Sequence, residues 1–473
     1  MVMKFALFYG HFSSNIGDLA INRGFIDLLS HVCGHSVSLK VFFLNGDGDR
    51  CSGKDSFKGY SGCEFYSINT SASAALRYAN NCELFVEDFG FGDCDLVFIN
   101  GGEHFFSYAE NANWHNLFWR AIPALAAQAA GLAYAFLPAS FGPFESQKAE
   151  EFVRQALGGA RGFAYREKTS GEIFPLVDSP TLLDMAFFIN GPYLAKPKKE
   201  QVHHLGVAVR PDGQGLRVGT HRSLERRDFQ RQSNYNNSLS SRSAISAVKL
   251  FLERSDLNQV TLFVQCNADE ELAEHIREEL NQAGYDRRVT LARPSSIDEY
   301  ISQLAAIDCL ITSRFHAVIL SSLACTPAVG LYYAEHGHKL PGLYEMLGRS
   351  DICRMVDESN VYDSEGVIGM VDLSFATWEQ TFRSICLVKD ETRKWFGEIT
   401  SASSASARQF IDLDTRIDIQ EVVSHSEAVA IKRALGEYRR LDASKKKRIV
   451  KGTDGKNVSF KKWLRRMVIR WAK

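Results

Sequence analysis

Short runs rich in β-branched and aromatic residues alternate with longer helical patterns through most of this chain, and that order constrains the fold more than any other feature. In the first part, strand-like runs at 4–9, 38–44, 96–100, 132–137 and 162–166 bracket helical patterns at 18–32, 72–82, 113–130 and 146–157. The alternation stops at G-P-Y-L-A-K-P-K-K-E-Q, residues 191–201, where prolines and lysines break any periodicity. It resumes with strands at 205–209, 260–265, 288–292, 309–312 and 328–332, and helices at 240–254, 270–283, 297–306, 315–324 and 340–347. Strands separated by helices build parallel sheets covered on both faces, because each connection has to cross over the sheet. The reading is therefore α/β, with one unit over 1–195, a second over 196–395, and a linker and tail over 396–473. Two such units imply a cleft, and open parallel sheets bind ligands beyond the carboxyl ends of their strands.

The length of 473 residues exceeds what one ordinary core holds, in keeping with two units. The formal net charge of −1 conceals an asymmetry: residues 432–473 carry sixteen Lys or Arg against three acids, an excess of +13 that leaves −14 for the rest. Such a tail calls for an anionic partner. Ten cysteines without a C-x-x-C pair, several of them (Cys266, Cys309, Cys325) inside apolar elements, read as reduced core thiols of a cytoplasmic protein. The apolar run at the N-terminus is too short for a signal peptide and reads as a first strand. The stretch 121–137 contains Pro123, Gln128 and Gly131, which fits a helix ending near Gly131 and leading into a strand better than a membrane span. The arginine-rich segment 211–237 reads either as disorder or as an anion-gripping flap, and S-A-S-S-A-S-A at 401–407 as a flexible linker.

Three glycine-bearing turns follow strands in the first unit: N-I-G-D-L-A-I at 15–21, I-N-G-G-E-H-F at 99–105 and L-P-A-S-F-G-P-F at 137–144. Each can turn backbone N–H groups toward a ligand, and each taken singly is also explained as a tight turn that needs glycine. Neither G-x-G-x-x-G nor G-x-x-x-x-G-K-[ST] occurs, so no dinucleotide or Walker-type site is indicated. Basic residues at strand ends are more informative. Arg166 closes G-F-A-Y-R, Arg314 and His316 follow C-L-I-T-S, and Lys339 follows the strand before A-E-H-G-H. Converging on a cleft, these residues suit a small, multiply charged anion, because arginine grips carboxylate or phosphate with two parallel hydrogen bonds.

The set N-I-G-D-L-A-I, D-L-V-F-I-N-G-G, S-F-G-P-F, Y-R-E-K-T-S, L-D-M-A-F and S-R-F-H-A-V-I-L-S-S-L-A-C-T-P-A-V-G-L resembles, in order and spacing, the polysaccharide pyruvyl transferase family over roughly residues 4–350. The resemblance implies two Rossmann-like domains facing a cleft, the glycosyltransferase-B type, with phosphoenolpyruvate as donor and a sugar of a cell-surface glycan or lipid-linked precursor as acceptor. The product would be a pyruvate ketal bridging two hydroxyls. The family's donor-binding positions match Arg166, Arg314, His316 and Lys339, with Arg314 and His316 catalytic; Asn15, Asp18, Glu103 and His104 fall on the acceptor side. Glu167 stands where Asp is usual, and Glu103 replaces the third glycine of the usual G-G-G.

The chemistry asks for these residue types. Two arginines and a lysine can hold the donor's carboxylate and phosphate, a histidine with an unperturbed pKa of about 6.5 can supply a proton, and an acid such as Asp18 or Glu103 can accept one. No metal and no cofactor is called for, and no H-x-x-H spacing or cysteine cluster offers a metal site. At the far end, Phe460, Trp463, Leu464, Met467 and Trp471 share one stripe of a helix whose other faces carry Lys462, Arg465, Arg466 and Arg470, the composition of a helix lying on an anionic membrane. The expectation is a cytoplasmic enzyme held at the inner membrane face, with no nucleic-acid partner. The alternatives are a nucleotide-sugar glycosyltransferase of the same fold and a non-catalytic glycan-binding protein.

Overall fold

The computed structural model describes residues 2–11, 15–34, 37–44, 53–107, 112–177, 179–191, 200–210, 238–333, 339–401 and 417–428. The segment 211–237, the approach 334–338 to Lys339 and the stripe from Phe460 to Trp471 lie outside them. Strands in chain order are β1 (Met3–Phe8), β2 (Val37–Leu44), β3 (Cys63–Ile68), β4 (Leu96–Ile99), β5 (Glu103–Ser107), β6 (Tyr134–Phe136), β7 (Ser140–Phe144), β8 (His204–Ala208), β9 (Gln259–Phe263), β10 (Val289–Ala292), β11 (Cys309–Thr312), β12 (Ala328–Tyr333) and β13 (Cys353–Val356). They form one parallel sheet of order β3-β2-β1-β4-β6, a second of order β10-β9-β8-β11-β12-β13, and a small parallel pair, β5-β7.

The central strands are apolar at nearly every position because both faces are covered. Alternation along β1 sends Phe5 and Leu7 to one core layer and Ala6 and Phe8 to the other. The first of these layers does not stop at the sheet. Through the helix Ile16–Cys33 it continues into Phe263, Tyr300, Leu310 and Ala317 of the second half, so one apolar layer joins the two sheets. The alanine-rich stretch forms the helix Trp114–Ala130, which ends at Gly131 in the left-handed region (φ 72°) and leads into β6, as the sequence implies. Among the described residues no helix is long and apolar enough to cross a membrane.

Two expectations are corrected. Residues 162–166 make only isolated bridges, at Gly162 and Tyr165, because their backbone pairs in turn with the ends of β6, the segment before β7 and the stretch around Pro180 and Leu182. The division at 395 falls inside the continuous helix Trp378–Ser401. That helix lies back on the first sheet: Phe396 stacks on Phe98 with centroids 5.6 Å apart, and Thr392 Oγ1 accepts from Leu183 N at 3.1 Å. Beyond 401, residues 417–428 also dock on the first half, with Ile417 and Val422 in its core and Glu421 accepting from Trp114 N at 3.3 Å. Replacing Phe396 by alanine removes a fully buried ring from the joint between the halves and should cost about 3–5 kcal/mol in a urea unfolding experiment.

Candidate functional site

The carboxyl ends of both sheets meet. Asn15 caps the helix Ile16–Cys33 by accepting from Gly17 N at 3.1 Å, and the same oxygen accepts from Gln265 Nε2, beyond β9, at 3.0 Å. A Cβ on Gly17 would sit 2.5 Å from His316 Cβ, so only glycine lets the first half approach this histidine. Gly342 plays the same part nearby, since a Cβ there would lie 2.7 Å from Glu167 Oε2.

His316 and Arg314 owe their positions to the turn after β11. Thr312 Oγ1 donates to Ala208 O of the neighbouring strand at 2.6 Å and accepts from Arg314 N at 2.9 Å, which holds Arg314 as the residue preceding the helix Phe315–Leu323. The Arg314 guanidinium pairs with buried Asp269 and lies 3.3 Å from Cys266 Sγ. Burial lowers its pKa to about 10, which still leaves it charged at neutral pH. Its neighbour Phe315 receives Arg166 from the other half, whose guanidinium stands 4.6 Å above the ring.

Arg166 is almost wholly buried and satisfied twice, donating to Ser140 Oγ at 2.8 Å and to Asp184 Oδ2 at 3.0 Å. The same Asp184 oxygen lies 3.7 Å from His316 Nε2, which makes no hydrogen bond among the described residues. Asp184 Oδ1 accepts from Ala186 N at 2.9 Å. Burial pushes the Asp184 carboxyl up, but His316, Arg166 and the Ala186 N–H outweigh it and hold the group below the usual carboxylate range. It is therefore the ionised centre of an Arg166–Asp184–His316 row that spans the two halves.

Lys339 opens the helix Lys339–Met346, is buried, and pairs with Glu103 at the start of β5. Burial pushes its ammonium down to about 8, with Arg210 and Arg166 adding to the effect and Glu103 opposing it. Asp18 is near enough to favour the charged form of Arg314, while the His104 ring stacks on that of His11, centroids 5.5 Å apart. The eight residues expected on the donor and acceptor sides thus lie near one another, with Asn15 acting as a cap and inter-half bridge.

Sequence reasoning assigned no part to Arg210, His11, Asp184 or Asp269. Arg210 follows β8 and acts on both Arg314 and Lys339. For Asp184 a signal exists: one acid inside the apolar run L-L-D-M-A-F-F-I. Glu167 is not part of the row. It caps the helix Lys168–Ile173 through Ser170, and burial pushes its carboxyl up to about 7. A cavity of about 1270 Å³ opens elsewhere, at the amino-terminal edge of the second sheet between Arg254, Asp308 and Trp378, and none of the site residues lines it.

Two facing parallel sheets with a charged site at their carboxyl ends define an α/β architecture of the glycosyltransferase-B type. Solved structures share it. A glycosyltransferase from Rickettsia africae superposes with a TM-score of 0.52 over 85% of this chain and 100% of its own, at 10% identity. The UDP-GlcNAc 2-epimerase from Neisseria meningitidis, solved with UDP-GlcNAc, gives 0.50 over 82% and 99%, at 9% identity. Likeness at that level concerns the fold alone. The family model for polysaccharide pyruvyl transferases matches residues 15–335, and the chain belongs to that family. No curated protein matches it significantly.

Asp184→Asn leaves the Arg166 guanidinium buried beside a neutral amide. The expected loss is about 3–5 kcal/mol of stability at pH 7, read from urea midpoints, whereas Lys168→Ala, at the exposed pair Lys168–Glu345, should leave the midpoint nearly unchanged.

Proposed function

We propose that this protein moves the pyruvyl group of phosphoenolpyruvate onto a sugar of an exopolysaccharide or lipid-linked glycan precursor, closing a ketal across two hydroxyls. The observation that carries the reading is the convergence of Arg166, Arg210, Arg314 and Lys339 with His316 where the two sheets meet. Phosphoenolpyruvate presents a carboxylate and a phosphate, and a partly dehydrated cluster of cations binds such a donor and offsets charge on the departing phosphate.

In this reading His316 protonates the methylene carbon of the donor, which makes the adjacent carbon electrophilic. Asp184, ionised, lies 3.7 Å from its Nε2. A sugar hydroxyl adds to that carbon, phosphate leaves, and the second hydroxyl closes the ring. Of the two hydroxyl protons lost, one replaces the proton given to the methyl carbon and the other departs with phosphate. The donor itself carries the group transferred, so no cofactor enters.

Phosphoenolpyruvate should raise the melting temperature, and UDP should not. Arg314→Ala should abolish the shift, and His316→Ala should keep it while losing transfer. Because the Lys339 ammonium is lost as pH rises through about 8, donor affinity should weaken above that pH, although a bound anion moves the transition upward. A shift produced by UDP and not by phosphoenolpyruvate would favour a nucleotide-sugar glycosyltransferase.

The stripe from Phe460 to Trp471 and the surplus of +13 over 432–473 support a second part of the reading: attachment to the anionic inner face of the membrane, where a lipid-linked acceptor would be found. Deleting residues 456–473 should release the protein from phosphatidylserine-containing vesicles in a sedimentation assay; continued co-sedimentation would count against the tail as the anchor.

A further inference from the structure

Ketal formation needs a group that takes the proton of the attacking hydroxyl, and the two acids suggested by sequence are both committed. Glu103 is held by Lys339, and Asp18 stands by Arg314. A third group, His11, lies at the same place and has no part in the scheme above.

His11 is fixed with unusual completeness for a residue just past a strand. Tyr9 adopts a left-handed conformation (φ 68°), and both its N–H and that of Gly10 reach Phe42 O on β2, which swings the chain across the sheet end. The backbone of His11 is then clamped by one side chain: His11 N donates to Asn22 Oδ1 at 2.9 Å, and Asn22 Nδ2 donates to His11 O at 2.7 Å. Asn22 is itself oriented by Asn100 Nδ2 at 3.1 Å.

The ring is just as constrained. Its Nε2 lies 2.9 Å from Gly101 O, and a carbonyl oxygen can only accept, so Nε2 carries the hydrogen. In the neutral ring Nδ1 is therefore the basic nitrogen, left to accept a proton. One face of the ring stacks on His104. The charged or titratable groups around it are His104 from β5, Asp18 from the helix Ile16–Cys33, Arg120 from the helix Trp114–Ala130, and His316 from across the cleft, with the Glu103–Lys339 pair adjoining.

We propose that His11 is the general base of the transfer, receiving the acceptor hydroxyl proton on Nδ1 while His316 serves the donor. The inference rests on the transferase reading. In balanced form, the hydroxyl O–H bond breaks as its oxygen bonds to the electrophilic carbon, and the proton goes to Nδ1. Departing phosphate then takes the proton from Nδ1, which restores the base for the second hydroxyl; the proton of that hydroxyl passes on to His316 and replaces the one given to the methyl carbon. Burial lowers the His11 pKa, with Arg120 and His316 adding and Asp18 and the Gly101 bond opposing, so the ring is neutral and ready to accept at pH 7.

His11→Gln tests the proposal, because a glutamine amide can keep the bond to Gly101 O and lacks the basic nitrogen. The full chain is assayed for phosphate release from phosphoenolpyruvate, with a lipid-linked glycan extract of the source cells as acceptor. Expected are a fall in kcat of about 10²-fold or more, a donor Kd within about twofold of wild type, and loss of the acidic limb of the pH–kcat profile. Activity within about threefold of wild type, with donor binding intact, overturns the role of His11 alone. The wild-type profile tests the same point without a variant: kcat should decline on acidification with an apparent pKa below 6.5, and a profile without that limb overturns the inference. A wild-type protein that neither binds phosphoenolpyruvate nor releases phosphate from it overturns the transferase reading and this inference with it.

Discussion

The carboxylate of Asp184 is the constraint on which the arrangement depends. It is fully buried, and an ionised group in that position persists only when its lone pairs are used and opposing charge is close. Arg166 of the first half, the Ala186 N–H and His316 of the second half meet that need together. One charge thereby fixes the guanidinium that lies over Phe315 and adjoins the histidine just past the turn after β11, so the two halves are registered by electrostatics where the chemistry is proposed.

Close approach makes that registration possible. Gly17 admits His316, and Gly342 admits the segment around Glu167. The apolar layer running through the helix Ile16–Cys33 and the return of the helix Trp378–Ser401 onto Phe98 supply the burial that keeps the approach dry. Within it the cations are partnered: Arg166 with Asp184, Arg314 with Asp269, and Lys339 with Glu103. Pairing lowers the cost of burying each cation and still leaves donors arranged for a doubly anionic ligand.

Much of this was legible in the chain. The strand–helix alternation located β1, β2, β4, β6 and β8 to β12 within a residue or two, because buried parallel strands must be apolar and β-branched and their helices amphipathic. It overlooked β3, β5, β7 and β13, where polar or glycine-rich runs such as C-E-F-Y-S-I and S-F-G-P-F are recruited by neighbours rather than by their own pattern. Arg166, Arg314, His316 and Lys339 could be singled out because cations at strand ends are costly unless used. Asp184 and His11 could not be given parts, since the histidine that Asp184 faces belongs to the other half of the chain and the bond that orients His11 is made to a backbone carbonyl.

The sequence by itself determined the α/β class, the two sheets, the family and the residues that crowd the strand ends, because periodicity and residue chemistry are local properties. Only the tertiary structure decided which charges share a neighbour, that the helix crossing residue 395 belongs against the first sheet, and which nitrogen of His11 carries its hydrogen. Those depend on distances between segments far apart in the chain, and such distances exist only once the two halves have packed.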